Sequence, residues 1–329
     1  ILIKAPSGTM LIDAGNNADA DLVKSYIKNQ GISKLDVVVG THPHEDHIGG
    51  LDAVIDTFDI GKVYMSKVAH TTQTFEDVLI AIQNKGLKIT APIAGATFNV
   101  GEAKCTILAP NSNNYDDLNN YSIVIKVDFG ETSFLFTGDA EDVSEKEMLS
   151  KGYDLAADVL KIGHHGSDSS TTQAFIDAIN PKYAVIMVGK DNSYGHPHKT
   201  VMDRLKTENI TVYRTDENGH IIATSDGINI TFNTEPGSYS GSSESGGSGG
   251  GNGGGGGGST SSISQTPSSA PAPTPTTQST TIDRTVYWTP KGKSYHYTPN
   301  CPTLSRSKTI LEGPLSQCPK YDPCDRCTY

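Results

Sequence analysis

The chain has 329 residues and a formal net charge of −11, from 37 acidic and 26 basic side chains. The first 235 residues hold 19 basic and 32 acidic side chains (19 − 32 = −13), whereas residues 282–329 hold 7 and 4 (7 − 4 = +3). An acidic body argues against tight sequence-independent binding of duplex DNA, which requires clustered Lys and Arg. It is compatible with a nuclease whose metal ions supply positive charge. No apolar run approaches the roughly 20 residues that cross a bilayer, so we expect no transmembrane segment in this chain.

Short apolar runs that predict strands alternate with helical patterns through residues 1–235. Helices are predicted at residues 20–30, 51–58, 75–85, 141–151, 173–179 and 199–207, and strands at residues 1–4, 9–12, 35–39, 122–127, 133–136, 158–162 and 183–188, with closing strands within 210–214 and 219–231. The pattern predicts a two-sheet α/β domain. Because the sequence starts inside a strand, we expect a further strand and any signal peptide to precede Ile1.

Four potential metal ligands follow the predicted strand at residues 35–39 within six positions: His42, His44, Asp46 and His47. Imidazole nitrogens suit zinc, manganese or iron, and a carboxylate adds negative charge. His42 and His44, two apart in an extended turn, can reach one ion, while Asp46 and His47 point elsewhere and suit a second. Buried without an ion, these groups would leave polar atoms unsatisfied. The segment therefore predicts a metal site at the carboxyl end of a strand.

The motif His-x-His-x-Asp-His resembles the hallmark of the metallo-β-lactamase fold, a four-layer αββα sandwich with a one- or two-metal site at one sheet edge. Further motifs resemble, in order, those of the hydrolase domain of ComEC-type competence proteins and their free-standing relatives. They are Asn-Asn-Tyr-Ser at 119–122, Phe-Thr-Gly-Asp at 136–139, Lys-Ile-Gly-His-His-Gly-Ser at 161–167 and Asn-Ser-Tyr-Gly-His-Pro at 192–197. The resemblance covers residues 1 to about 233. It implies two divalent ions, zinc or manganese.

Asp139 follows a predicted strand and a small turn, which suits an anionic ligand that bridges two ions; the alternative is a helix N-cap. Sites of this fold usually draw a further His from a separate strand, and no isolated His precedes Asp139 at a comparable place. One of His164 and His165 is therefore expected to complete the site of His42 and His44. The other would face the substrate as hydrogen-bond donor or general acid. Spacing alone leaves open which His takes which role.

The match to relatives places His196 with Asp46 and His47 on the second ion, with His198 as the alternative. Catalysis is expected from Asp46, His164 and His165. Asn120 and Ser167 correspond to polar positions near the substrate in relatives, although turn and cap hydrogen bonds would explain them equally well. Asn192 is expected to line the mouth of the site, and His198 to lie next to the substrate.

Residues 236–281 are rich in Gly, Ser, Thr and Pro and predict a flexible tether. Residues 282–329 resemble a short Cys/His module found on secreted hydrolases. The core of such a small module needs disulfides or a bound metal ion for stability. One candidate is a structural zinc bound by His296, Cys301, Cys324 and Cys327. The other is a pair of disulfides that includes Cys318. The tether favours an extracellular or wall-associated protein, with a cytoplasmic one as the alternative.

Two ions about 3.5–4 Å apart clamp a substrate oxygen and hold a bridging hydroxide, which predicts hydrolysis. The expected substrate is a phosphodiester, in DNA or in another polymer, because the resemblance is to competence proteins. A cell-wall phosphorylcholine-type esterase is one alternative, and a β-lactam, lactone or thioester hydrolase is another. A third alternative is a wall- or nucleic-acid-binding protein that acts through the small module, whose basic side chains lie beside Trp288.

Overall fold

The computed structural model describes residues 1–242, 285–290, 294–296, 304, 309–314 and 322–323. Its contacts divide the chain into two units, Ile1–Gly247 and Ser248–Tyr329. In these described ranges, no helix combines the length and the apolarity needed to cross a bilayer.

The first unit contains two main sheets. The smaller has the order β1-β2-β3-β4-β5 and consists of β1 (Leu2–Ala5), β2 (Gly8–Ile12), β3 (Lys34–Gly40), β4 (Asp59–Met65) and β5 (Ile89–Thr90). Strand β1 pairs antiparallel with β2, and the remaining neighbours are parallel. The carboxyl ends of β2 and β3 therefore lie side by side at one edge.

The larger sheet has the order β12-β11-β10-β9-β8-β7-β6. Its strands are β6 (Thr97–Val100), β7 (Ala103–Ala109), β8 (Val124–Phe129), β9 (Thr132–Phe136), β10 (Val159–Lys161), β11 (Tyr183–Ile186) and β12 (Thr211–Arg214). Strands β9 to β12 run parallel to one another, and β6 to β9 form antiparallel pairs. A separate hairpin is formed by β13 (Ala223–Ser225) and β14 (Ile230–Phe232).

Helices connect most of the parallel strands. They are α1 (Ala20–Asn29), α2 (Glu45–Ile48), α3 (Leu51–Thr57), α4 (Gln73–Asn84), α5 (Asp142–Ser150), α6 (Gln173–Ile179), α7 (Lys199–Thr207) and α8 (Thr215–Asn218). Single 3-10 turns occur at Asn17–Asp19, Leu118–Tyr121 and Gly163–Gly166.

The alternation of side chains along the strands explains the layers. In β3, Val38 packs into a core with residues of α1, α3 and α4, whereas its neighbours Val37 and Val39 point to the opposite face. That face meets the larger sheet through residues such as Ile125 and Val127. A third core, which includes Leu160, lies between the larger sheet and α5, α6 and α7. Because successive strand residues face opposite sides, these apolar runs bury both faces of each sheet. The four-layer αββα sandwich is confirmed.

Residues 237–242, which the sequence assigns to the tether, instead pack on the first unit. The Ser242 amide donates to Pro197 O at 3.1 Å, and the Lys199 amide donates to Ser242 O at 2.9 Å. The buried Arg214 guanidinium donates to the Ser240 carbonyl. These contacts satisfy backbone groups over a segment without apolar periodicity, which explains why composition alone misplaced the boundary.

In the second unit the described strands are β15 (Thr285–Trp288), β16 (Ser294–His296), β17 (Leu311–Pro314) and β18 (Asp322–Pro323), in the order β17-β15-β16-β18. Val286, Trp288, His296 and Leu304 are buried. The four cysteines of the predicted zinc or disulfide set, Cys301, Cys318, Cys324 and Cys327, lie outside the described residues.

Candidate metal centre

The candidate centre forms where strands of both sheets end. Strand β3 leads into the His42–His47 segment, which turns into α2, while β9 leads into Asp139. The parallel neighbour of β9 is β10, which pairs Lys161 with Phe136 and leads directly into His164 and His165. The carboxyl ends of parallel strands share one sheet edge, so segments far apart in sequence deliver their side chains to one place.

Four side chains meet at this edge: Asp46, His47, Asp139 and His165. One ligand atom of each lies within 4.8 Å of all the others. The Asp139 Oδ2 atom is 3.1 Å from His47 Nε2 and 3.3 Å from His165 Nε2. The Asp46 Oδ2 atom is 3.3 Å from His165 Nε2 and 3.8 Å from His47 Nε2. Two carboxylates and two imidazoles form a donor set suited to a divalent transition metal.

The hydrogen bonding of the two imidazoles tests whether this set fits an ion. His47 Nδ1 lies 2.7 Å from Asp13 Oδ2, and His165 Nδ1 lies 2.7 Å from Met187 O. Because each acceptor takes the Nδ1 proton, each Nε2 carries the lone pair that a metal needs. Both Nε2 atoms are buried, and neither makes a well-directed hydrogen bond within the described part of the chain. Two buried nitrogens aimed at two carboxylates are the arrangement that a metal ion satisfies.

His42 and His44 lie beside this group as a pair. His42 Nε2 and His44 Nδ1 are 3.0 Å apart, and the His42 ring centroid is 4.2 Å from that of His47. His42 Nδ1 contacts two hydroxyls, Thr41 Oγ1 at 3.1 Å and Ser122 Oγ at 3.3 Å. In the described ranges, no third imidazole, thiolate or carboxylate joins this pair in a group as tight as the first.

A buried lysine supports Asp139 from behind. Lys161 Nζ donates to Gly138 O at 2.7 Å and lies 3.5 Å from Asp139 Oδ1, which leaves Oδ2 facing the two imidazoles. The Asp139 amide donates to Ser122 Oγ at 3.0 Å. Gly138 adopts a φ of 54°, and a Cβ there would meet Ser122 and Thr41 at 3.0–3.1 Å. The turn before Asp139 therefore needs glycine both for its left-handed backbone and for its packing.

The close contacts among Asp139, His47 and His165 shift the pKa values of all three side chains. Burial opposes ionisation of Asp139, but His47 and Lys161 hold its pKa well below the ordinary range. Burial lowers the pKa of His47, but Asp139 and Asp13 together raise it well above its ordinary value. Burial also lowers the pKa of His165, but the nearby carboxylates of Asp139 and Asp46 outweigh it and raise this pKa to about 9. The centre is thus organised around the negative charge of Asp139.

His164 lies on the same turn as His165 but points to other partners. Its Nδ1 is 3.2 Å from both Ser169 Oγ and Glu141 Oε1. His164 and His165 adopt φ values of 45° and 53°, two successive left-handed residues that are not glycine. Such a backbone is costly and persists only where its surroundings hold it. The turn sends adjacent imidazoles in different directions, so only His165 joins the clustered carboxylates.

The grouping of ligands differs from the sequence prediction in two ways. One of His164 and His165 was expected to complete the site of His42 and His44, but His165 clusters with Asp46, His47 and Asp139. His196 was expected in that cluster, but its ring centroid lies 5.6 Å from His164 and 4.8 Å from His198 instead. The parallel order of β9, β10 and β11 brings the β10 turn, rather than the loop after β11, next to Asp139.

His196 and His198 lie on a loop that is tied to the turn and to the C-terminal segment. The His198 amide donates to Gly166 O at 2.9 Å, and His198 Nδ1 accepts from the Asp168 amide at 3.1 Å. A cavity of about 290 Å³ adjoins this loop, and His196 lines it. Burial lowers the pKa of His196 to about 4, and the neighbouring histidines act in the same direction.

The three polar residues with open roles make structural contacts. Asn192 binds its own loop, because its Oδ1 accepts from the His196 amide at 3.0 Å and its Nδ2 donates to His196 O at 2.7 Å. Asn120 Oδ1 accepts from two backbone amides at the start of α5, and its Nδ2 donates to Glu141 at 3.2 Å. Ser167 Oγ lies 3.0 Å from Ser169 Oγ. These contacts are the hydrogen bonds within turns and helix caps that were the structural alternative to a role near the substrate.

Residue patterns missed Asp13, whose carboxylate holds His47 and also accepts from the Thr41 amide at 2.8 Å and the Thr41 hydroxyl at 2.9 Å. Its position was a usable signal, because it directly follows β2, the parallel neighbour of β3. Lys161 was noticed only as part of a motif, although a lysine inside an apolar strand is itself a signal of a buried partner.

Residues 1–190 match the model of the metallo-beta-lactamase superfamily. The chain is 34% identical over 196 residues to ComE operon protein 3 of Bacillus subtilis, covering 60% of this chain and 25% of the relative. It is 29% identical over 221 residues to competence protein ComA of Neisseria gonorrhoeae, covering 67% and 30%. The chain thus spans less than a third of the length of these relatives.

Among solved structures, the metallo-beta-lactamase fold protein YhfI of Bacillus subtilis superposes with a TM-score of 0.45 and 13% identity, covering 65% of this chain and 86% of that one. The family match covers more than half of the 329 residues. This chain belongs to the metallo-beta-lactamase superfamily, as a metal-dependent hydrolase of the competence type.

Proposed function

We propose that the first unit is a divalent-metal phosphodiesterase that cleaves accessible, single-stranded DNA. The observation that carries this proposal is the carboxylate and imidazole cluster around Asp139, with two unsatisfied Nε2 atoms, beside a second imidazole pair. Two adjacent ion sites suit in-line displacement at phosphorus, in which both the attacking and the leaving oxygen need stabilisation.

The side chains at this edge would have different roles in the reaction. Ions held at this edge would activate water and polarise the phosphoryl group. Asp139 holds its Oδ2 toward both imidazoles because Lys161 engages the other oxygen. His164, whose side chain is 25% exposed, is oriented through Nδ1 by Glu141 and Ser169. Its Nε2 is therefore the group that we assign to hydrogen-bond a phosphate oxygen or the leaving oxygen.

Two observations support DNA as the substrate. The relative at 29% identity is named a competence protein, and the one at 34% identity is named ComE operon protein 3. The acidic composition suits a substrate held by the ions and by specific contacts rather than by a basic track. This chain spans only 25–30% of the length of those proteins, so cleavage of DNA by this chain is a proposal of its own.

We also infer that the chain acts outside the cytoplasm, with residues 243–281 as a tether to the small Cys/His module. The support is compositional, since Gly-, Ser-, Thr- and Pro-rich sequence cannot bury a core. A zinc or disulfide set in the module would have a structural role. Mass spectrometry of the natively purified chain, with and without alkylation, would separate bound zinc from disulfides.

The test uses the full chain with Mn²⁺ or Zn²⁺ and four substrates: single-stranded DNA, duplex DNA, p-nitrophenyl phosphorylcholine and nitrocefin. We expect metal-dependent cleavage of single-stranded DNA that Asp139→Asn abolishes. The matched control is Asp154→Asn, which removes a carboxylate that is 80% exposed. Nitrocefin turnover without DNA cleavage would contradict the proposal, as would full activity of Asp139→Asn with metal bound. Preferential hydrolysis of the phosphorylcholine ester would assign the wall-type substrate instead.

A further inference from the structure

An exposed tyrosine lies on the loop that carries His196 and His198. Tyr194 is 73% exposed, the largest value among the exposed large apolar side chains in the described ranges. Its ring stacks on that of His196, with a centroid distance of 5.7 Å and an interplanar angle of 19°. Single exposed apolar side chains are common on protein surfaces, so the placement of this ring decides what it can do.

Three ring contacts connect Tyr194 with the candidate metal centre. Beyond the stacked pair, the His196 ring is 5.6 Å from the His164 ring, and the His164 ring is 6.2 Å from the His165 ring. His164 is the residue assigned above to a phosphate or leaving oxygen, and His165 belongs to the ligand cluster. A DNA strand whose phosphate lies at the centre therefore has a neighbouring base within reach of Tyr194.

Hydrogen bonds hold the loop that presents Tyr194. Asn192 Oδ1 accepts from the His196 amide at 3.0 Å, and Asn192 Nδ2 donates to His196 O at 2.7 Å. The His198 amide donates to Gly166 O, on the turn after β10, at 2.9 Å. A ring that is already held in place loses little conformational freedom when a ligand stacks on it, which favours binding.

The charges near the loop favour an uncharged partner over a phosphate. The adjoining cavity of about 290 Å³ is lined by Asp191 and Asp216. Arg214 also lines it, but its guanidinium donates two hydrogen bonds to Asp216, at 2.7 and 3.0 Å. Carboxylates repel a phosphate, whereas any base can stack on an aromatic ring through its π-face. The surroundings of Tyr194 therefore suit a nucleobase.

From this placement we infer that Tyr194 is a stacking platform for a base of single-stranded DNA close to the scissile phosphate. The inference rests on the proposed function and adds a specificity residue to it. In a duplex each base is already stacked and paired, so its face reaches Tyr194 only if the base leaves the helix. Tyr194 thereby favours single strands over duplexes without reading their sequence.

The experiment mixes the full chain, Mn²⁺ and a fluorescein-labelled oligonucleotide, follows binding by stopped-flow anisotropy and follows cleavage on gels. Tyr194→Ala should raise the dissociation constant for single strands by about 10-fold, at both about 50 and 200 mM salt, because stacking releases no counterions. Tyr194→Phe, which keeps the ring, should bind like the wild type. An abasic site moved along the oligonucleotide should weaken wild-type binding at one position, where Tyr194→Ala causes no further loss.

Tyr26→Ala is the matched control, because the Tyr26 ring also contacts a histidine ring, that of His220 at 4.6 Å, but lies on α1 outside the centre. It should bind single strands like the wild type. Unchanged binding by Tyr194→Ala, or an equal loss for single strands and duplexes, would overturn the inference. A loss confined to hydrolysis of p-nitrophenyl phosphorylcholine would assign the ring to choline and overturn it as well.

The two measurements separate this inference from the proposed function. Binding that depends on Tyr194 without any cleavage would overturn only the proposed function. Cleavage with binding that is independent of Tyr194 would overturn only the stacking platform, and a chain that does not bind single strands would overturn both.

Discussion

Asp13 provides the most direct test of how the fold supports the metal centre. Its Oδ2 holds His47 Nδ1 at 2.7 Å, and its Oδ1 accepts from the buried Thr41 amide at 2.8 Å. Asp13 has a φ of 58°, a left-handed conformation that asparagine tolerates well. Asp13→Asn therefore keeps the backbone and one acceptor oxygen while it removes the charge and the second acceptor.

The expected loss follows from the role of such partners. Removing the acceptor behind a ligating imidazole typically weakens metal binding by about 10–100-fold. At a Mn²⁺ concentration 1,000 times the wild-type dissociation constant, binding stabilises the native protein by ~4.1 kcal/mol. A 100-fold weaker variant at the same concentration would gain only ~1.4 kcal/mol. The difference of ~2.7 kcal/mol corresponds to a metal-induced rise in Tm that is smaller by roughly 5–11 °C.

The assay compares thermal melts with and without Mn²⁺ for wild type, Asp13→Asn and Asp36→Asn. Asp36 is a suitable control, because it too accepts from a backbone amide and a threonine hydroxyl, at 3.0 and 3.3 Å, through Thr9 rather than at the metal edge. The control should show the wild-type rise in Tm. An unchanged rise in Asp13→Asn would refute the assignment of Asp13 as the support for His47.

Two further predictions concern stability. Lys161→Met should lower the free energy of unfolding in EDTA by about 1–3 kcal/mol in urea melts, because the Gly138 carbonyl and Asp139 Oδ1 would lose their buried donor while His47 and His165 still face Asp139 Oδ2. Mn²⁺ should recover part of that loss, and failure to do so would mean that Lys161 acts only through packing. A chain that ends at Thr234 should be less stable than one that ends at Ser242 by about 1.5–3 kcal/mol, the contribution of a hydrogen bond to the charged Arg214. Equal urea midpoints for the two fragments would contradict the structural role of residues 235–242.

The local sequence was sufficient to predict a feature wherever the residues that form it lie within one short segment. The alternation over Val37, Val38 and Val39 in β3 fixes which of these side chains faces the helices and which face the second sheet, because successive strand residues point to opposite sides. The four ligands between His42 and His47 lie within one turn after that strand, so no tertiary contact is needed to bring them together. The confirmed αββα fold and the general location of the centre follow from such local information.

Contacts between distant segments could not be derived in the same way. Which of His165 and His196 reaches Asp46 depends on the order of β9, β10 and β11 in the sheet and on two left-handed residues in the β10 turn. Asp13 meets His47 only because β2 and β3 are parallel neighbours.

Side-chain periodicity and ligand type are properties of consecutive residues, so the layers and the candidate metal-binding segment from His42 to His47 could be predicted without a structure. The grouping of the candidate ligands, the partners that orient them and the packing of residues 237–242 became visible in the three-dimensional arrangement. Strand order and backbone conformation place atoms at distances of about 3 Å, and a pattern of residue types does not contain those distances.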